Sequence, residues 1–152
     1  MATRNALPTD ADALATIMAV RGGTAHEHLV SARRLIARLE VLLIAEQDGA
    51  PVGWCGIQKV RIRPGAELEW LVAGLTVVPA ARRRGIGARL LGELVRDTPR
   101  TTQDEPIFSV INAGNLASID LHLELGFLEV ERAATFAGIK FSGGVGVLLS
   151  HP

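Results

Sequence analysis

Leu75-Thr76-Val77-Val78-Pro79-Ala80-Ala81-Arg82-Arg83-Arg84-Gly85-Ile86-Gly87-Ala88 is the stretch that decides the fold. An apolar run ends in a proline, passes through three arginines and opens on Gly-Ile-Gly. After it, Ile86, Leu90, Leu91, Leu94 and Val95 recur at helical spacing, so residues 85–97 read as an amphipathic helix. Before it, residues 67–78 read as a strand, and Gly74 inside that strand signals a bulge or a close approach. The first amides of a helix lack internal partners and, with the macrodipole, favour an anion. Gly85 and Gly87 keep that helix end free of side chains, and Arg82, Arg83 and Arg84 place positive charge beside it. The spacing fits neither GxxxxGK[ST] nor GxGxxG.

Working outward, Thr3 to Ala6 reads as a short strand, residues 10–20 and 28–38 as helices, and Val41 to Glu46 as a strand. Asp48-Gly49 is a hairpin dipeptide leading into a strand at 52–62, and Pro64-Gly65 is a second turn. Downstream come a buried strand at 107–111, a helix at 115–125 stopped by Gly126, and strands at 127–135 and 145–149. This order predicts an α/β (α+β) fold with a mixed central sheet of about six to seven strands, flanked by about four helices.

The chain has 152 residues, close to the ~150 of a single domain, so residues 1–152 are taken as one domain. It is 48% hydrophobic and 21% charged, which is enough to bury a core. The 16 Lys and Arg balance the 16 Asp and Glu, which argues against a nucleic-acid or acidic-membrane surface. The single cysteine, Cys55, excludes an intrachain disulfide and a Cys-rich zinc framework. His26-Glu27-His28 offers two ligands without a third, so no metal is expected. No run of ~18 apolar residues and no apolar leader core is visible, so the expectation is a cytoplasmic protein.

Arg82-x-x-Gly85-x-Gly87, placed after Val-x-Pro, resembles the R/Q-x-x-G-x-G/A signature of the GNAT N-acyltransferase superfamily. A second stretch, Asn112-Ala-Gly-Asn115-Leu-Ala-Ser118-Ile-Asp-Leu-His122-Leu-Glu-Leu-Gly126-Phe127, is similar to the family's other motif. The resemblance implies a GNAT fold and an acetyl-CoA-dependent N-acetyltransferase. Such an enzyme passes the acetyl group directly to a primary amine of a small molecule or peptide, through a tetrahedral intermediate. It implies that Arg82, Arg83, Arg84, Gly85, Gly87 and Ala88 hold the pyrophosphate of acetyl-CoA, with Asn115 and Ser118 along its pantetheine arm. Backbone donors for the oxyanion fall near Leu75 and Val77.

Where the family has a tyrosine as acid to the leaving thiolate, this chain, which contains no Tyr, has His122. An imidazolium suits that task near neutral pH. The other reading is a buried, hydrogen-bonded His122 with water protonating the thiolate. Asn115 has a second reading as a helix N-cap. For the base that deprotonates the amine, Glu69 is the first candidate and Glu67 the second, on strand alternation with Leu75 and Val77. The early helices, around His26, Glu27 and His28, and a hairpin over Phe136 to Leu149 would shape the acceptor pocket. Arg33, Arg34 and Arg38 read as a solvated helix face. The resemblance also admits a homodimer. The competing class is a catalytically silent acyl-CoA-binding sensor.

Overall fold

The structure, a computed structural model, describes residues 1–98 and 105–152. The described strands are β1 (Ala2–Asn5), β2 (Val41–Gln47), β3 (Ala50–Arg61), β4 (Leu68–Val77), β5 (Ile107–Asn112), β6 (Leu128–Ala133), β7 (Thr135–Phe136), β8 (Ile139–Lys140) and β9 (Gly146–His151). The described α-helices are α1 (Ala11–Met18), α2 (Ala25–Arg38), α3 (Ile86–Asp97) and α4 (Leu116–Glu124). A seven-stranded sheet has the order β1-β2-β3-β4-β5-β9-β6, and β7 and β8 form a separate two-stranded ribbon. β4 and β5 are parallel, while β1 with β2, β2 with β3, β5 with β9 and β6 with β9 are antiparallel. This is the mixed sheet that the order of sequence elements predicts. Among the described residues no helix is long and apolar enough to cross a membrane.

The chain folds as two compact units, Met1–Ile57 with Ala73–Leu94, and Gln58–Val72 with Val95–Pro152. β3 and β4 run through both. In the first unit, Leu14, Ala15 and Ile17 of α1 and Ala32 of α2 pack on Leu42, Ile44 and Trp54. β2 is buried along Leu42 to Ala45, so it reads as a continuous apolar run without alternation. Asp48 (φ 53°) and Gly49 (φ 79°) both take the left-handed conformation of a tight hairpin turn, as the dipeptide predicts. Arg4 on β1 pairs with both Asp10 and Glu46, and its guanidinium holds the Asp10 carboxyl below the usual range. In the second unit, Ile62, Leu71, Phe136 and Leu148 form the core.

Two elements depart from the sequence reading. α2 begins at Ala25, three residues earlier than expected, because the Thr24 side chain accepts from Glu27 N–H and caps the helix there. His26, Glu27 and His28 therefore lie on the first turn of a helix. The hairpin expected over Phe136 to Leu149 is instead the short β7–β8 ribbon, turning at Ala137 (φ 52°) and Gly138 (φ 74°).

Gly74 answers the question its position raised. A Cβ there would sit 2.5 Å from Cζ2 and 2.7 Å from Cη2 of Trp54, so the indole of β3 rests against the backbone of β4. Gly74→Ala is expected to lose about 1–3 kcal/mol of stability in urea unfolding by overpacking this contact. Combining it with Trp54→Leu should cost less than the sum of the two single changes. Additive losses would show that the ring does not rest on Gly74.

Candidate functional site

The signature turn belongs to the first unit. After β4, residues Pro79–Ala81 make one 3-10 turn, and Arg82 is extended (φ −71°, ψ 162°). Arg83 then takes a positive φ of 64° and Gly85 one of 75°. Around Gly85 a Cβ would meet nothing within 4 Å, so the glycine answers a conformational need and leaves open space. Arg82, Arg83, Arg84 and Gly85 are exposed, whereas Ile86 is buried and anchors the helix that follows. The Arg89 N–H donates to Gly85 O at 3.0 Å, so the amides of Ile86, Gly87 and Ala88 precede the helical ladder.

Arg82 and Arg84 are held differently. Arg82 Nε donates to Val77 O at 3.1 Å, which folds that side chain back onto the end of β4. Arg84 Nη1 donates to Gln47 Oε1 at 3.0 Å. Together they set positive charge around the helix N-terminus, the combination that receives a phosphate.

The end of β4 carries a residue that the sequence reading did not assign to the site. Arg21, at the end of the 3-10 turn after α1, donates through Nε to Thr76 Oγ1 at 2.8 Å. Its Nη2 donates to Leu75 O at 2.7 Å. Thr76 is buried, and Leu75 and Val77 are half-buried. The two partners stand 55 residues apart in the chain, and no local pattern marks the pairing.

The second motif lies in the second unit, at the junction of β5 and α4. Asn115 is the N-cap of α4, and its side chain accepts from Ser118 N–H at 3.3 Å. Asn112, at the end of β5, donates through Nδ2 to Ser142 O at 2.9 Å and to Ser142 Oγ at 2.8 Å. It also accepts from Gly114 N–H at 2.9 Å, so one side chain ties two turns together.

His122 is 2% exposed. Its Nδ1 lies 2.7 Å from the Ser118 carbonyl, which can only accept, so Nδ1 carries the proton. Burial pushes the imidazole below its ordinary pKa, against the raising effect of that bond, and favours the neutral ring. Nε2 then accepts from the Ser109 hydroxyl at 2.9 Å. Both nitrogens are committed within the fold, which is the arrangement of the second reading, a buried and hydrogen-bonded His122.

The surrounding backbone explains the position. Phe127 N–H donates to His122 O at 3.0 Å and Gly126 N–H to Leu123 O at 3.1 Å, a Schellman ending with Gly126 at φ 98°. Phe127 packs edge-on against the imidazole, with ring centroids 4.9 Å apart.

Glu69 is half-buried on β4, and Glu67 is exposed just before the strand begins. Both lie in the second unit.

Known proteins resemble this chain along most of its length. An N-alpha-acetyltransferase of Sulfurisphaera tokodaii is 25% identical over 134 residues, covering 84% of this chain and 80% of that protein. The crystal structure of a ribosomal-protein-alanine N-acetyltransferase from Brucella melitensis is 28% identical, with a TM-score of 0.75, and the match covers 99% of this chain and 98% of that one. A GNAT-superfamily phosphinothricin acetyltransferase from Sinorhizobium meliloti, solved in complex with AcCoA, shares the fold. It has a TM-score of 0.75 at 23% identity, over 99% of this chain and 87% of that one. The family model described as the acetyltransferase (GNAT) family matches residues 14–127, well over half of the sequence, and the chain belongs to that family.

Proposed function

We propose that residues 1–152 act as one acetyltransferase domain that moves the acetyl group of acetyl-CoA to a primary amine of a small molecule or peptide. The observation that carries this reading is the opening of α3. There unladdered amides and an open Gly85 adjoin three exposed arginines, a combination that favours a pyrophosphate. Arg82, Arg83, Arg84, Gly85, Gly87 and Ala88 would hold it, and Asn115 and Ser118 would border the pantetheine arm. The Sulfurisphaera and Brucella relatives are both named as N-acetyltransferases, which favours an amine acceptor.

Each residue has a task that the chemistry requires. An ammonium has no lone pair, so Glu69, or Glu67 in its place, takes the proton from the incoming amine. Attack then forms the C–N bond, and the N–H groups near Leu75 and Val77 stabilise the negative charge that develops on oxygen. As the C–S bond breaks, the nitrogen gives up its extra proton and a proton reaches the thiolate through water, leaving the amide and free CoA. His122 holds α4 to β5 through Ser109 and closes the end of the helix. One observation favours the rival reading of a silent acyl-CoA sensor. The His122 nitrogens are both engaged, so no acid is in evidence at the family position. Turnover separates the two readings.

Acetyl-CoA at 100 times its dissociation constant is expected to raise the unfolding midpoint by roughly 5–11 °C, from a stabilisation of ~2.7 kcal/mol. ATP should shift it little, and Gly87→Val should lose most of the acetyl-CoA shift by obstructing the helix N-terminus. An unchanged shift in Gly87→Val would place the anion site elsewhere.

Glu69→Gln should lower kcat about 100-fold with an amine found by screening, and leave acetyl-CoA binding intact. Full activity would pass the role to Glu67, tested the same way.

His122 makes a prediction about pH. The unfolded chain protonates this imidazole below about pH 6.5, whereas the folded chain resists doing so. The stability it contributes is therefore complete above that pH and is lost as pH falls through the lower folded-state value. Urea midpoints of the native protein should decline from pH 7 to pH 5, with a flatter profile in His122→Gln. His122→Gln, where folded, should keep kcat within about threefold, well short of what removing a general acid costs. A larger loss of kcat in folded protein would restore His122 as the acid.

A further inference from the structure

Strand alternation sorts the backbone groups at the end of β4 by direction. Thr76 O lies 3.1 Å from where a Cβ on Gly53 of β3 would stand. Val78 N–H donates to Val52 O at 2.8 Å. Groups of residues 76 and 78 therefore face β3, and Leu75 and Val77 present their N–H and C=O at the opposite edge. Both carbonyls on that edge are occupied. Leu75 O accepts from Arg21 Nη2 at 2.7 Å and Val77 O from Arg82 Nε at 3.1 Å. Two guanidiniums thus take the acceptors, and what the same two residues direct outward is N–H.

We propose that Arg21 is a positioning residue for acyl transfer, a role that rests on the acetyl-CoA assignment above. Its planar fork spans the Leu75 carbonyl and the Thr76 hydroxyl, which fixes one peptide unit of β4 at two points. It also masks the carbonyl dipole that would repel a thioester oxygen, and it sets a permanent cation beside the donors. The side chain is exposed, yet both of its contacts are charge-assisted. The chain on its far side is secured as well. Gly22 follows at φ 126° and Gly23 at φ 76°, and His28 Nε2 donates to Gly22 O at 2.7 Å. Arg21 therefore stands at the fixed end of a glycine turn and reaches across to the strand.

The test needs no acceptor amine. Affinities for acetyl-CoA and for free CoA are measured by calorimetry on the native protein, Arg21→Gln, Arg21→Lys and Thr76→Val. The carbonyl stretch of bound [1-¹³C]acetyl-CoA is read by infrared difference spectroscopy, and thermal melts confirm folding. Arg21→Gln is expected to weaken acetyl-CoA binding roughly 10-fold while CoA affinity changes less than about twofold, because acetyl-CoA has a thioester carbonyl that free CoA lacks. The downshift of the carbonyl stretch should fall by about half or more.

Arg21→Lys keeps the charge without the fork and should lie between the two. If Arg21→Gln does not fold, Arg21→Lys and Thr76→Val carry the same comparison. A folded variant set with the native affinity ratio and the native carbonyl frequency would overturn the role of Arg21 alone. Failure of the native protein to bind acetyl-CoA would overturn the cosubstrate assignment, and the role of Arg21 with it.

Discussion

The contact between Trp54 and the backbone at Gly74 is the constraint on which the first unit depends. A large ring lies against β4 only because the strand carries no side chain at that position. The indole also belongs to the core formed with α1 and α2, so the burial that stabilises those helices is tied to one point on the strand. One residue further on, the backbone at Leu75 is gripped by Arg21, which closes the same region. Packing and hydrogen bonding therefore fix the segment Gly74 to Thr76 by independent means. A segment held in both ways cannot adjust cheaply.

Charge is organised in the same neighbourhood without any excess over the whole chain. Lys and Arg number 16, as do Asp and Glu, yet Arg21, Arg82, Arg83 and Arg84 gather on the end of β4 and the turn after it. A balanced total keeps non-specific attraction to polyanions low, while the local field still favours a phosphate-bearing ligand. Two of these arginines are committed to backbone carbonyls and one to Gln47, so their charges are placed and not merely present. Placement matters because surface charges beyond ~10 Å are largely screened at physiological salt.

What could be read from the sequence was whatever depends on local rules. The turn at Arg83 to Gly85, the amphipathic face of α3 and the Asp48-Gly49 hairpin all follow from short-range periodicity or from the φ that glycine permits. The start of α2 is equally local, since Thr24 and Glu27 have the spacing of a capping box, whereas the apolar periodicity that marks the helix begins only at Leu29. Arg21 is a different case. Its partners lie 54 and 55 residues away and meet it through tertiary packing, which no spacing rule encodes. The Ser109 partner of His122 likewise sits on another element, so a buried, hydrogen-bonded His122 is legible as a reading while its partner is not. Cys55 is buried, and burial pushes its thiol up.

His122 shows how a position can keep its place in a motif while its chemistry changes. The Schellman ending needs a carbonyl at residue 122 and a glycine at residue 126, and it brings Phe127 onto whatever side chain residue 122 carries. Those demands are met by backbone and by an aromatic face, and an imidazole satisfies them. A buried imidazole must also satisfy two nitrogens, and Ser118 O and Ser109 Oγ do so. Once both are used, donating a proton to a ligand would leave a buried acceptor unpaired or demand a buried cation, and each costs free energy. A thiolate is a weak base compared with an alkoxide, so the reaction proposed above would lose less than most by leaving that proton to water. The requirement that shapes this position is therefore the closure of α4 against β5.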